Sequence, residues 1–222
     1  MRSEVFDELV DFLVEKMPLD SINLFRPHKS AQKRFDTLSG AIKSGSGTPD
    51  QHRALELDIQ LEHLMQLAKA RRALKERDNP RLSRHEYELA AHFTPQVEQK
   101  TRQSRCEYCL LHVDNAYYAH YVDYVIAQKH GGAKGSENLA LSCAECNVRK
   151  GTDLSSLTPS GRLITLFNPR LQRWGAHFRV EGGTIEPLTR IGEVTTRLLD
   201  FNNARRVEIR RTLAQLKLYP GR

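Results

Sequence analysis

The sequence of 222 residues lacks any long apolar run, so it contains no candidate for a membrane-spanning helix. It is also poor in aromatic residues, which make up 7%, and it has one tryptophan and no cysteine outside four positions. The first residues, Met1 to Glu8, turn acidic at once, unlike the basic and apolar start of a secretory signal. We therefore expect a cytoplasmic protein whose cysteines stay reduced.

Positive charge exceeds negative charge in this chain. Lys and Arg number 34 and Asp and Glu number 27, which gives a formal net charge of +7. Much of the excess lies in two clusters: Lys69, Arg71, Arg72, Lys75, Arg77, Arg81 and Arg84, and Arg205, Arg206, Arg210, Arg211, Lys217 and Arg222. Each cluster alone is typical of a solvated helix face, but the two together indicate a polyanionic partner such as nucleic acid.

The four cysteines form two matched pairs, and they are the most informative feature of the chain. Cys106 and Cys109 make one C-x-x-C motif, and Cys143 and Cys146 make the other. Two such motifs supply the four sulfurs that structural zinc prefers, so we expect one Zn²⁺ bound by all four. An iron–sulfur cluster is the main alternative. Two other uses of the cysteines are disfavoured. Disulfides are typical of small secreted domains, and a redox C-x-x-C is a single pair on a thioredoxin-like unit, whereas this chain is long and has two pairs.

The first part of the chain reads as helical. Apolar residues recur at helical spacing over 3–17 and 29–43, and Thr48, Pro49 and Gln51 form a strong helix start for a segment that reaches about residue 77. Leu57, Leu61, Leu64 and Ala68 line one face of this segment, which is expected to face the core. The sequence thus predicts an all-helical unit over 1–93, which binds a partner or substrate or self-associates, and a second domain over 94–222.

The second part alternates strands, loops and helices. Strands are predicted within 118–126 and 137–142, and a helix over 143–151 follows them. Further along, a strand is predicted over 162–167, a hairpin over 178–186 that turns at Gly182 and Gly183, and two helices over 190–200 and 203–217. The fold class is therefore α+β: a helical unit, then a strand–strand–helix domain with a C-terminal hairpin and two helices.

The segment around the cysteines resembles HNH-type endonucleases of the ββα-metal fold, in the bacterial form with four zinc-binding cysteines. The similarity spans roughly residues 97–215. The matching features are the Cys106–Cys109 pair, Val122-Asp123 before Val125-Ile126-Ala127, Lys129-His130-Gly131-Gly132, Glu137-Asn138-Leu139-Ala140-Leu141, Cys143-x-x-Cys146-Asn147 with Lys150-Gly151, and a downstream Asn168-Pro169-Arg170, Arg173-Trp174 and His177-Phe178.

This resemblance implies a nuclease that hydrolyses phosphodiester bonds in nucleic acid, DNA more than RNA. It implies that Asp123 and Asn147 bind a catalytic Mg²⁺ or Mn²⁺, and that Asn138 orients the loop. It also implies contacts to the phosphate backbone by basic residues, namely Lys129, Arg149 and Lys150. Taken alone, an Asp after a strand is most often a turn former, and an Asn after C-x-x-C is often a helix cap.

One position departs from the family pattern. The family has a histidine as general base directly after the aspartate, where this chain has Tyr124, and Tyr121 stands two residues before Asp123. A tyrosine side chain ordinarily has a pKa of about 10, so it is a poor base at neutral pH. His120 lies ~13 Å from the Tyr124 position along an extended strand. His130, in the glycine-rich loop, is the better substitute.

Three interpretations of Tyr124 stay open at this point. The chain is a working nuclease with an altered base, or a zinc-stabilised nucleic-acid-binding module without turnover. In the third interpretation it is a nuclease that a His-to-Tyr substitution at position 124 has inactivated. A separate alternative is that the chain is a helical scaffold, a component of a defence or toxin-like complex.

Overall fold

The computed structural model describes residues 4–78 and 104–220. Its first part consists of four helices: α1 (Glu4–Lys16), α2 (Leu19–Leu24), α3 (Lys29–Lys43) and α4 (Pro49–Arg77). Three of them confirm the sequence-based expectation, and α2 is a short addition after Pro18. In the ranges described, no helix combines the length and apolar character that crossing a membrane requires.

Helix α4 begins as the sequence predicts. The Thr48 side chain accepts a hydrogen bond from the backbone N–H of Gln51, and the Gln51 side chain accepts one from the backbone N–H of Thr48. This reciprocal capping satisfies two backbone groups that a helix start leaves unpaired. Pro49 occupies the first turn, where its missing N–H costs nothing.

The predicted apolar face of α4 is partly wrong. Leu57 is 65% exposed and Leu61 is also exposed, although Leu64 and Ala68 are buried as expected. The middle of α4 is surrounded, because α1, α2, α3 and the C-terminal helix α8 (Ala204–Gln215) all pack against it. Its buried set therefore includes polar residues that a single apolar stripe does not predict: Asp58, Glu62, His63, Gln66 and Lys69.

The cysteine-bearing part contains the predicted strand–strand–helix unit. Strand β1 (Tyr121–Tyr124) pairs antiparallel with β2 (Leu139–Ser142), and Asp123 lies opposite Ala140. Helix α5 (Ala144–Lys150) follows β2 directly. The 3-10 turn Val113–Asn115 precedes β1, and the 3-10 turns Gln128–His130 and Ser136–Asn138 lie between β1 and β2. Both strands are shorter than expected, but their order and type are confirmed.

The C-terminal part adds two hairpins and three helices. Strands β3 (Ser155–Leu157) and β4 (Leu163–Thr165) form the first hairpin, of which only β4 is predicted by the sequence. Helix α6 (Trp174–His177) leads into β5 (Phe178–Glu181) and β6 (Thr184–Pro187), and α7 (Arg190–Leu198) and α8 (Ala204–Gln215) follow. Gly183 has φ +84°, and a Cβ there would lie 2.7 Å from the Val207 carbonyl oxygen. The predicted turn thus lets the hairpin approach α8.

The helical part and the cysteine-bearing part share one hydrophobic core. Phe35 of α3 stacks on Tyr118 with ring centroids 4.2 Å apart, and α8 packs along α4. One continuous cluster of buried residues extends from Val10 to Tyr219. The boundary predicted between residues 93 and 94 lies outside the described residues, so the division into 1–93 and 94–222 stays a prediction.

Two buried charged residues of α4 hold the segment that leads into β1. The Glu62 carboxylate accepts hydrogen bonds from the backbone N–H of Tyr117 (3.1 Å) and of Tyr118 (2.7 Å). Lys69 Nζ donates to the Ala116 carbonyl oxygen at 2.9 Å. Burial raises the pKa of Glu62, and burial lowers the pKa of Lys69 to about 7. Polar contacts therefore fix the entry to β1 from the helical side.

The lowered pKa of Lys69 predicts a pH-dependent stability. Between pH ~7 and ~10 the unfolded chain holds a proton on this lysine that the folded chain lacks, so the free energy of unfolding rises with pH in that window. From pH 7 to pH 9, we expect wild type to gain roughly 2 kcal/mol relative to Lys69→Met, measured by chemical denaturation. Lys75→Met, an exposed position on α4, should follow wild type. Parallel profiles for wild type and Lys69→Met would contradict this account.

Candidate functional site

The four cysteines converge in the structure. All four are buried, and one ligand atom from each lies within 4.8 Å of the others. The Sγ atoms of Cys109 and Cys143 are 3.7 Å apart, far beyond a disulfide bond and close to the ~3.8 Å between sulfurs that share one tetrahedral zinc ion. The residues therefore fit a four-sulfur metal site. Such a closed set leaves no position for substrate, so its role is structural.

Local structure explains why the sulfurs point inward. The backbone N–H of Cys109 donates to Cys106 Sγ at 3.5 Å, across a turn that Leu110 closes with φ +65°. Cys143 is the residue before α5, and Cys146 lies in the first turn of α5. Hydrogen bonding with Cys106 and the other thiols lowers the pKa of Cys109, which favours a thiolate.

A buried ionic chain supports the cysteine cluster from the outside. Arg206 of α8 donates from Nη2 to Cys146 Sγ at 3.2 Å, and its Nε lies 3.3 Å from Glu145 Oε2. His63 of α4 lies 2.8 Å from the same Glu145 oxygen. Burial alone would raise the pKa of Glu145, but Arg206, then His63 and Arg149, lower it to about 2. The sequence does not predict these ionic contacts, because His63, Glu145 and Arg206 lie far apart in it.

The two basic clusters are therefore less exposed than the sequence indicates. Lys69, Arg206 and Arg210 are buried, and Arg71 pairs with Asp7, Asp11 and Glu208. In α8 the two buried arginines lie at helical spacing with Ile209 and Leu213, which marks them as members of an inward face. Part of the excess positive charge thus faces a buried sulfur, carboxylates and carbonyl oxygens.

Asp123 and Asn147, the predicted cation ligands, come together. Asp123 lies on β1 and is 3% exposed, and Asn147 lies on α5 and is 4% exposed. Both face the ammonium group of Lys43, which ends α3: Nζ lies 2.5 Å from Asn147 Oδ1 and 3.9 Å from Asp123 Oδ1. Burial lowers the pKa of Lys43, an effect that Asp123 opposes.

The second carboxylate oxygen of Asp123 is also engaged. Tyr108, between the first two cysteines, donates from its hydroxyl to Asp123 Oδ2 at 2.9 Å. Lys150 Nζ lies 3.1 Å from the same oxygen. Burial and then the Asp123 charge raise the pKa of Tyr108, so its hydroxyl remains a donor. In this arrangement ammonium and hydroxyl groups occupy the oxygens expected to bind a divalent cation, so the residues as placed do not fit one.

The basic residues expected to contact phosphate are placed differently from one another. Lys150 is 2% exposed, donates to the Tyr124 carbonyl oxygen and pairs with Asp123. It therefore lies inside the domain, whereas a contact to phosphate would need it on the surface. Arg149 pairs with Glu145 and Asp200. Lys129 is exposed on the 3-10 turn Gln128–His130. The neighbouring sequence positions of Arg149 and Lys150 on α5 do not by themselves show which side chain points inward.

Asn138 fastens the loop between the strands. Its Oδ1 accepts from the backbone N–H of Ile126, and its Nδ2 donates to the carbonyl oxygens of Ile126 and Ala133, all at 2.8 Å. A Cβ on Gly132 would lie 1.8 Å from the Ile126 carbonyl oxygen, so only glycine permits this closure. Asn138 contacts backbone and not Asp123, which accords with an orienting part in the loop.

The aromatic and histidine positions near β1 differ in their surroundings. Tyr124 is half-buried at the end of β1. The Tyr121 hydroxyl donates to Asp36 Oδ1 at 2.7 Å and accepts from Gln32 Nε2 at 2.5 Å. His120 Nε2 lies 3.0 Å from the Leu111 carbonyl oxygen, and burial lowers its pKa. The His130 side chain is exposed and makes no hydrogen bond with any residue that the structure describes.

Lys43 is the site residue that sequence reasoning missed. A lysine in the last turn of a helix is common, because it interacts favourably with the helix dipole, and nothing in the local pattern singles it out. Its contact with Asn147 joins residues far apart in the chain, and only the packing of α3 against β1 and α5 creates it.

Comparison with known proteins agrees with this geometry. A family model described as HNH endonuclease matches residues 106–153, which run from the first cysteine past the end of α5. No curated protein and no solved structure matches the chain. The matched segment contains all four cysteines, the β1–β2 hairpin and α5. Residues 106–153 are therefore the part of the chain that is similar to the HNH endonuclease family.

Proposed function

We propose that this chain acts on nucleic acid as an HNH-type endonuclease that hydrolyses phosphodiester bonds, with DNA as its substrate. The observation that carries the proposal is the convergence of Asp123 from β1 and Asn147 from α5 inside the segment matched by the family model. A carboxylate and an amide oxygen are hard ligands of the kind that Mg²⁺ or Mn²⁺ takes in such sites. Lys129 at the exposed loop is the candidate contact to the substrate backbone.

The cysteine cluster serves this function as a structural Zn²⁺ site. Zinc bound by Cys106, Cys109, Cys143 and Cys146 would fix the turn that carries Tyr108 against α5, and so hold Asp123 and Asn147 in register. Arg206, which donates to Cys146, compensates part of the thiolate charge. This centre supplies rigidity and takes no part in bond cleavage.

A second candidate function is supported by Tyr124. Without a histidine in the general-base position, and with Lys43 against the ligand pair, the domain would bind nucleic acid without cutting it. Such a module should bind more weakly as salt increases, because contacts to phosphate release counterions. Residues 1–93 would then be free to recognise a protein partner.

The cysteine cluster predicts that the fold depends on zinc. We expect one zinc per chain by elemental analysis and no visible absorption of an iron–sulfur cluster. Cys109→Ser should lose most of the metal and lower the melting temperature, since a structural zinc site contributes directly to the folding free energy. Tyr124→Phe, outside the cluster, should keep the metal. Full zinc occupancy in Cys109→Ser would contradict the four-sulfur assignment.

A cleavage assay separates the two candidate functions. Plasmid DNA and a matched RNA are incubated with Mg²⁺ or Mn²⁺. We expect Tyr124→His combined with Lys43→Ala to cut DNA at least ~10²-fold faster than wild type, the size of contribution that a general base makes.

The control for this assay is the same double variant with Asp123→Ala added, which should be inactive. If the double variant retains its zinc and binds DNA but cuts neither substrate, the nuclease proposal is wrong and the binding module is the function. Faster cleavage of RNA than of DNA would overturn the choice of substrate alone.

A further inference from the structure

Lys43 lies where the proposed function would need a divalent cation, and the inference that follows rests on that proposed function. Its Nζ is 2.5 Å from Asn147 Oδ1 and 3.9 Å from Asp123 Oδ1, and its side chain is 24% exposed. These are the two oxygens that belong to the predicted ligand pair. A positive group of this chain therefore already faces both.

The position of Lys43 is set by a whole helix and not by one flexible side chain. Phe35 stacks on Tyr118 and lies 6.2 Å from the Tyr121 ring, centroid to centroid. Asp36 accepts from the Tyr121 hydroxyl, and Gln32 donates to it. Gln32, Asp36 and Lys43 are spaced four and seven residues apart, so they share one face of α3. That face lies over β1 and reaches α5.

Asp123 does not need Lys43 to satisfy its buried charge. Lys150 Nζ lies 3.1 Å from Asp123 Oδ2, and the Tyr108 hydroxyl donates to the same oxygen. Both partners belong to the HNH segment itself. Lys43 comes from outside that segment and approaches the opposite oxygen, Oδ1, on the side of Asn147. Lys43 is thus an additional cation near Asp123, whose carboxylate is already paired with Lys150.

An ammonium group and a divalent cation cannot share this position. Mg²⁺ requires oxygen ligands at about 2.0–2.1 Å in near-octahedral geometry. Lys43 Nζ already lies in contact with Asn147 Oδ1, where such an ion would have to sit. An ammonium offers no lone pair for coordination and repels a second positive charge. Binding of one therefore requires withdrawal of the other.

We infer that Lys43 is an intramolecular occupant of the HNH cation position, so that the N-terminal helical unit excludes divalent cations from Asp123 and Asn147 while α3 is docked. The helical unit thereby gains a function that its sequence does not indicate. It closes the centre by supplying a tethered positive charge, and any cleavage by this chain requires Lys43 to be displaced first.

The test is direct Mn²⁺ binding, measured by electron paramagnetic resonance on the full zinc-loaded chain, without substrate. We expect Lys43→Met to gain one Mn²⁺ site per chain with affinity on the order of tenfold or more above wild type, the usual range for coupling between two exclusive states. Lys33→Met, an exposed lysine on the same helix, is the matched control and should bind as wild type does. Adding Asp123→Asn to Lys43→Met should abolish the new site.

Two results would overturn the inference: a wild-type Mn²⁺ affinity within about twofold of Lys43→Met, or a gained site that survives Asp123→Asn. Lys43→Gln, which keeps a hydrogen-bond donor near Asn147 without the charge, replaces Lys43→Met if that variant loses its zinc or its melting transition. Since no cleavage is measured, the outcome is separate from the proposed nuclease activity. A chain that gains Mn²⁺ but never cuts DNA would refute that activity and leave the role of Lys43 intact.

Discussion

The convergence of four buried sulfurs is the constraint on which the rest of the site depends. It joins the turn at Cys106–Cys109 to the start of α5, and the same turn is tied to β2, because the Glu107 backbone N–H donates to the Leu141 carbonyl oxygen at 2.8 Å. Tyr108 lies inside that turn and donates to Asp123. The metal-binding turn therefore also orients the carboxylate, and α5 carries Asn147 from the other end of the same cluster. Loss of the cluster would disturb both members of the ligand pair at once.

The parts of this structure that depend on local sequence could be predicted, and the parts that depend on long-range packing could not. The spacing of Cys106, Cys109, Cys143 and Cys146 predicts their cluster because two short turns must place four sulfurs around one point. The capping residues of α4 and the Gly182–Gly183 turn likewise have local physical causes. Lys43 has no local signal, because its place is fixed by a helix that docks from elsewhere in the chain.

Composition gives the net charge of this protein but not where the positive charges lie. A net charge of +7 indicates an anionic partner, yet Lys69, Lys150, Arg206 and Arg210 are buried beside carbonyl oxygens, carboxylates and a thiol. Burying a charge without a partner is costly, and each of these cations is paired or hydrogen-bonded. These four basic side chains are thus directed at interior groups and not at the surface. Among the exposed basic residues that the structure describes, Lys129 and Lys134 lie in the loop between β1 and β2.

Tyr124 and Lys43 bear on the same question from independent directions. Tyr124 stands in the position where the resemblance to HNH endonucleases would lead us to expect a histidine base. Lys43 places an ammonium group against Asp123 and Asn147. Asp123 and Asn147 nevertheless have a use in the folded chain that needs no divalent cation. Asp123 accepts from Tyr108 and neutralises Lys150, and Asn147 accepts from Lys43. The presence of both residues is therefore no argument for catalysis by itself. What distinguishes a closed nuclease from a binding module is whether the domain cuts DNA once the lysine is removed, and not whether the pair accepts a divalent cation.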